Sequence, residues 1–232
     1  MKIPISGRLL ACCDFVAHGD RVADIGCDHG YLSIYLVTAG IAPSAIAADI
    51  RRMPLLSAVR NAEKFGVRDK IRFCLSNGVQ SIPRDFDCLV CAGMGADTII
   101  SILSDAPWLK SPQYRLVLQC QSKAPMLRQF LSENGWCIQT EPVLRDGRFL
   151  YTVMAVSYQR GCTLTPGQWY ISPAMAKNPT PETLEYYRLV LSRLKTAAIH
   201  RGQEEPLLRT ALVELENLKW DMPEENDHDN GC

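Results

Sequence analysis

Asp24, Asp28 and His29 place two carboxylates and an imidazole within six positions of the chain. They sit around Gly26 and Gly30, with Cys27 between, after the apolar run of Val22, Ala23 and Ile25 and before a second one that starts at Tyr31. Carboxylates accept hydrogen bonds and an imidazole can donate or accept, so the cluster suits a polar or cationic ligand. Glycines let the backbone approach that ligand closely, and a helix starting just beyond them offers unpaired N–H groups. A buried strand, a sharp glycine turn and a helix N-terminus together are how open α/β sheets build nucleotide sites. Asp49 lies 23 residues after Gly26, at the end of the short apolar run Ala45 to Ala48. An acid at the tip of a second strand, at that distance from the turn, binds ribose hydroxyls in such folds.

These residues need a scaffold, and the periodicity supplies one. Ser6 to Ala17 reads as an opening helix with Leu9, Leu10 and Cys13 on one face and Ser6 as N-cap. Helices are predicted at Tyr31–Ala39, closed by Gly40, and at Pro54–Phe65, with Leu55, Ala58, Val59 and Ala62 on one side. Further helices are predicted at Ile99–Leu109 and Ala124–Asn134. Ile71, Phe73 and Leu75 alternate as a strand that leads into Ser76-Asn77-Gly78. Cys88 to Ala92 is a wholly apolar strand ending in a second glycine-rich turn, Ala92-Gly93-Met94-Gly95-Ala96. Leu116–Leu118 is a fifth strand, and Trp136–Val143 and Phe149–Tyr158 are two more, joined by the tight turn Arg145-Asp146-Gly147-Arg148. Alternating strands and helices followed by a hairpin describe a mainly parallel, Rossmann-like sheet with an antiparallel last strand. That arrangement is typical of methyltransferases that use S-adenosyl-L-methionine. A nicotinamide oxidoreductase calls instead for a parallel sixth strand and a GxGxxG turn, whereas this turn reads GxxxG.

Residues 161–181 are polar and proline-rich, a linker. Beyond it Leu184, Tyr187, Leu191, Leu194 and Ala198 repeat at 3-4-3-4, and Leu208, Ala211, Leu215 and Leu218 at 3-4-3, with Gly202 between. Two amphipathic helices in a coiled-coil-like hairpin follow, too short to stand alone. The predicted organisation is a catalytic domain over 1–160, linker and hairpin over 161–220, and an acidic, disordered tail over 221–232. That tail holds five acids and no Lys or Arg, which leaves the first 220 residues with 25 basic against 20 acidic side chains. A mildly basic body permits a polyanionic partner. No apolar run reaches the ~18–20 residues of a membrane span, and the N-terminus lacks the pattern of a secretory signal, so the expected location is cytoplasmic. The ten cysteines are scattered, and a disulfide framework does not suit such a chain. Cys88-Leu-Val-Cys91 has metal-ligand spacing but lies in an apolar strand with no second pair, which favours core over zinc.

With these motifs placed, nearly the whole chain resembles the bacterial tRNA (adenine-22 N1)-methyltransferase family, TrmK. The resemblance rests on ADIGCDHGYL at 23–32, AGMG at 92–95, the Leu-Gln strand end at 118–119, Asn-Gly-Trp at 134–136, DGRFLY at 146–151 and KNP at 177–179. Two departures are visible: Asn77 where the family commonly has Asp, and Leu-Gln-Cys-Gln at 118–121 where it has LQPN. The resemblance implies S-adenosyl-L-methionine as methyl donor, tRNA as partner, and no metal and no membrane; a monomer is compatible with it. It implies a cofactor site of Asp24, Gly26, Cys27, Asp28, His29, Asp49, Ile50, Asn77, Gly78, Ala92, Gly93 and Met94. Within that set Asp49 takes the ribose, Asn77 the adenine edge, and Asp24 or Asp28 the methionine amino group. Catalytic candidates are Asp28, His29, Tyr31, Gly93 and Met94, with His29 alternatively capping the helix and Tyr31 alternatively core. Arg8, Arg51, Arg52, Arg188 and Arg193 are candidate tRNA contacts, the last four within two basic groups, one spanning Arg51 to Arg72 and one on the hairpin. Rival readings are a methyltransferase of the same fold with another RNA or a small molecule as substrate, and a non-enzymatic RNA-binding protein with a vestigial cofactor site.

Overall fold

Val22 to Ile25, strand β1, is buried at all four positions, as a parallel strand covered on both faces must be. It pairs in parallel with β2 (Ala45–Asp49) on one side and β4 (Cys88–Gly95) on the other. The computed structural model describes residues 2–159, 161–177, 179–201 and 205–220; Asn178, Gly202 and the acidic tail lie outside the described residues. In chain order the remaining elements are α1 (Gly7–Cys13), α2 (Tyr31–Thr38), α3 (Arg52–Lys64), β3 (Ile71–Leu75), α4 (Ala96–Ser104), β5 (Arg115–Ser122), α5 (Ala124–Glu133), β6 (Trp136–Thr140), β7 (Val143–Asp146), β8 (Phe149–Thr152), β9 (Met154–Tyr158), α6 (Pro173–Ala176), α7 (Pro181–Arg201) and α8 (Pro206–Glu216).

Seven strands form the main sheet in the order β3-β2-β1-β4-β5-β9-β6, and β7 pairs only with β8 in a separate ribbon. β9 runs antiparallel to both of its neighbours. Connections lead outward in opposite directions from β1 and β4, so a crevice opens at their carboxyl ends, the switch point where open α/β sheets bind ligands. One face of the sheet packs Ile25, Leu89, Cys91 and Leu118 under α4 and α5. The other packs Val22, Cys88, Val90 and Ala47 under α1, α2 and α3. Cys88 and Cys91 therefore point to opposite faces, and burial pushes both thiols up, Cys88 to about 12. That geometry cannot hold one metal between them.

The boundaries depart from the periodicity where a local breaker acts. Ile99–Leu109 is not one helix: α4 ends at Ser104, and Pro107–Leu109 is a separate 3₁₀ turn, because Pro107 has no N–H to continue the ladder. α1 stops at Cys13, and Ser6 takes the N-cap backbone conformation without capping; its hydroxyl is buried with no partner. Leu75, the last of the three alternating residues, is 55% exposed at the tip of β3. Each of the two long strands predicted near the end is split in two. Pro142 ends the first, and Val153, fully buried with its N–H bonded to Pro142 O at 3.3 Å, takes the chain from the ribbon back into the sheet.

In the hairpin Tyr187, Leu191, Leu194 and Ala198 of α7 meet Leu208, Leu215 and Leu218. The same cluster contains Val143, Leu150, Ile171 and Met175, so the seam closes on the β7–β8 ribbon and the linker. A buried ion pair underlies it. Arg128 of α5 donates to Glu141 at 2.8 and 3.0 Å and to the carbonyls of Trp169 and Tyr170 at 2.8 and 3.1 Å. Ser172 donates to the same carboxylate at 2.6 Å. Burial works against the Arg128 charge, but Glu141 together with Tyr186 outweighs it and holds the guanidinium above its ordinary value. Contrary to the reading of unpaired cysteines, Cys137 of β6 and Cys162 of the linker are joined as a disulfide with Cα atoms 5.4 Å apart. The linker is drawn back along β6 at that point, where Leu164 N–H donates to Ser132 at 2.7 Å.

Candidate active site

The turn after β1 is held from below by the end of β2. The N–H groups of Gly26 and Cys27 both donate to Ala48 O, at 2.8 and 2.9 Å. Gly26 and Gly30 each adopt φ +73°, and Asp28 adopts φ +49°. Those left-handed values exclude most side chains, and Asp is among the few non-glycine residues that accept them. Gly30 is also fixed by contact, since a Cβ there would lie 2.9 Å from the Cβ of Ala58 on α3. Asp49 ties the turn to its neighbour: Oδ2 accepts from Asp28 N–H at 3.1 Å and Oδ1 from Arg51 N–H at 2.8 Å. Each of its oxygens keeps a second acceptor position, the capacity a pair of hydroxyls needs.

The three acids stand in different surroundings. Asp24 is 3% exposed, and Ser33 of α2 donates to it at 2.8 Å. Burial raises its pKa from 3.8 to about 6, with the bonds from Ser33 opposing the rise. Asp49 is similarly buried, whereas the Asp28 carboxylate is more than half exposed on the rim. Arg51 Nη2 and His29 Nε2 each stand 3.7 Å from Asp28, close enough to steer it and too far for a hydrogen bond. His29 does not cap α2: the N-cap residue is Gly30, and no side chain bonds there. Its imidazole is half exposed, 6.0 Å from the Tyr31 ring, and its carbonyl accepts from Asn61 at 2.9 Å.

The opposite wall is the end of β4. Its second glycine-rich turn is still part of the strand, which bulges against β5 between Ala92 and Gly95. Gly93 takes φ +79°, and its N–H donates to Oε1 of the fully buried Gln119 at 2.9 Å. Between the walls lies a cleft of about 410 Å³. All twelve candidate cofactor residues line it, as do Tyr31, Arg8 and Arg51. The other candidate tRNA contacts lie elsewhere: Arg52 is exposed at the start of α3, Arg188 is exposed on α7, and Arg193 lines a second groove. Sequence reasoning missed Ser33, Gln119, Thr98 and Ile102. Only Gln119 carried a signal, through the Leu-Gln strand end at 118–119.

The cleft offers a buried carboxylate for a cation, a hydroxyl-binding carboxylate, and an exposed Asn77 beside Ile50 for the edge and face of a heterocycle. A sheet of this order with that site defines the chain as a methyltransferase, and the family model described as "Methyltransferase domain" matches residues 5–154. Over 183 residues the chain is 31% identical to the tRNA (adenine(22)-N(1))-methyltransferase of Bacillus subtilis (strain 168), with 76% of each covered. It superposes on the crystal structure of the B. subtilis m1A22 tRNA methyltransferase TrmK with a TM-score of 0.78 at 27% identity, covering 93% of this chain and 95% of that one. The Streptococcus pneumoniae protein Sp1610, solved in complex with S-adenosyl-L-methionine, gives 0.80 at 28% identity, covering 91% and 98%. The chain belongs to the tRNA (adenine(22)-N(1))-methyltransferase (TrmK) family.

Proposed function

We propose that this protein methylates N1 of adenine 22 in tRNA, using S-adenosyl-L-methionine, in the cytoplasm. One observation carries the reading: a single cleft brings together two buried carboxylates, Asp24 and Asp49, and a third, Asp28, held on its rim by a left-handed backbone. The residues present fit the cofactor. Gly26 and Gly78 have positive φ, and a Cβ on either would meet the side chain of Met94 or Ile102 across the space. Asp24 would hold the ammonium of the methionine moiety, Asp49 the ribose hydroxyls, and Asn77 with Ile50 the adenine. When bound, S-adenosyl-L-methionine supplies a methyl group on a positively charged sulfur.

The chain's part in the reaction follows from adenine chemistry. N1 carries an in-plane lone pair, so no general base is needed before attack. Alignment does most of the work, and well-oriented groups gain up to ~7–11 kcal/mol that way. The bulged Gly93–Met94 backbone would set the pocket that orients the base, with Tyr31 and His29 on the facing rim. The methylated base becomes cationic, and the Asp28 carboxylate on the cleft rim would stabilise that charge as it forms. N1 lies on the Watson–Crick edge, so the base must be unpaired or extruded to react. Residues 161–220 would act as an RNA-contacting arm beside a catalytic body over 1–160, with Arg188 and Arg193 on the arm and Arg8, Arg51 and Arg52 on the body. The test is mass mapping of modified adenines after the purified protein has reacted with unmodified bulk tRNA. Methylation at N1 of position 22 is expected; no methylated adenine, or methylation elsewhere only, refutes the reading.

A further inference from the structure

We propose that a second groove, beside the reaction cleft, holds the unpaired RNA strand flanking the target adenine and stacks one of its bases on Phe149 and Tyr151. The inference rests on the RNA reading above and adds where the strand runs. The groove, of about 610 Å³, lies between the N-terminus of α5, strand β8 and helix α7. Two contacts join it to the cleft. The Arg8 guanidinium, a cleft residue, stands 5.9 Å from the ring centroid of Tyr151, a groove residue. Gln121, also in the groove, puts Nε2 3.5 Å from where a Cβ on Gly93 would lie. Arg8 Nε at this junction is buried with no hydrogen-bond partner among the described residues, a donor left unused there.

The lining chemistry is that of a single-stranded nucleic acid site. Phe149, Tyr151, Tyr170 and Tyr186 supply aromatic surface, Lys123 and Arg193 supply charge, and among the described residues no Asp or Glu lines the groove. Phe149 is 52% exposed, with the Arg148 guanidinium 4.9 Å from its ring centroid. Lys123 is paired with Asp97 at 2.8 Å, but both are exposed, and such surface pairs exchange readily for a phosphate. Arg193 makes no ion pair among the described residues. Stacked bases over aromatic rings with cations along the backbone are the general solution for unpaired strands. There is also a reason to need it here. A base extruded into the cleft deprives its neighbour of a stacking partner, and an aromatic platform next door replaces that partner.

The experiment measures binding of an unmodified tRNA transcript to the full chain by fluorescence anisotropy, at low and moderate salt, with Phe149→Ala, Tyr151→Leu and Arg193→Gln. Calorimetry with S-adenosyl-L-methionine serves as the folding control. Each aromatic variant is expected to raise the tRNA Kd by about fivefold or more. Arg193→Gln should flatten the dependence of log K on log salt by about 0.7–0.9. Cofactor affinity should stay at the wild-type value. With 2-aminopurine next to the target position, wild type should quench its fluorescence and Tyr151→Leu should not. Wild-type tRNA affinity and salt dependence in all three variants would overturn the groove while leaving the RNA reading intact. If wild type neither binds nor methylates tRNA, both fall together.

Discussion

Asp24 is where pH acts on this protein. Its pKa in the folded chain, about 6, lies above the ordinary 3.8 because burial penalises the charge. The folded state therefore holds its proton longer than the unfolded state does. Well below pH 3.8 the group is neutral in both states and costs nothing. As pH rises from about 3 to about 7 the unfolded chain ionises first, and stability falls by about 3 kcal/mol through this group alone. Thermal melts of Asp24→Asn should lack that decline. An ammonium ligand reverses the demand, since it needs the ionised form. Affinity for S-adenosyl-L-methionine should rise through pH 6 and level off above 7, and calorimetry near pH 6 should detect proton release. Affinity unchanged from pH 5 to 7.5 would remove Asp24 from that role. Asp28 carries a different prediction. Asn tolerates its left-handed backbone, so Asp28→Asn should leave the melting temperature within a few degrees and cut turnover by about tenfold or more. Wild-type turnover in a purified assay would remove the carboxylate from catalysis.

At the scale of elements, the bulged end of β4 and the buried Gln119 of β5 form one device. Gln119 satisfies the Gly93 N–H from within the sheet and thereby fixes the turn that walls the cleft. Gln119→Leu keeps the volume and deletes the acceptor, leaving a partly buried N–H unpaired at a cost of ~1–3 kcal/mol. If Gln119 positions that turn, kcat should fall more than KM rises, with cofactor affinity nearly unchanged; an equal effect on all three would indicate loss of packing only. The acids around the first turn were legible because their types and spacing carry the signal. Gln119 was less so, because its partner is a backbone group that only the sheet register brings near. The same limit explains the split strands. Trp136–Val143 and Phe149–Tyr158 are apolar enough to read as two strands, and only tertiary pairing shows that Val153 leaves one sheet for another. Parallel β-α units were easy to read by contrast, since each is bounded locally by Gly, Pro or Asp.

Across the whole molecule, the linker is joined to the body through the bonds of the Arg128–Glu141 pair to Trp169, Tyr170 and Ser172, and the hairpin through the cluster that includes Val143. Nothing in the pattern of α5 distinguishes Arg128 from a surface arginine, so its partner was not legible in the sequence. Arg128→Ala would strand a buried carboxylate and the carbonyls of Trp169 and Tyr170, at ~3–5 kcal/mol. Denaturant unfolding should show that loss, and tRNA binding should weaken as the arm shifts. Pairing Arg128→Met with Glu141→Gln should recover part of the stability, because no unpaired charge then stays behind.

β9 lies between β5 and β6 although the chain makes it last of the three. During synthesis β6 emerges with no neighbour to pair with, and the outer edge of β5 stays open until Met154–Tyr158 arrive. The residues lining the reaction cleft are complete at Ile102, and β5 closes against β4 by Ser122. The elements that line the cleft can thus assemble on the ribosome while β6 to β9 and helices α7 and α8 are still unmade. A chain paused between residues 122 and 154 carries an unpaired sheet edge, the feature through which nascent chains stick to one another.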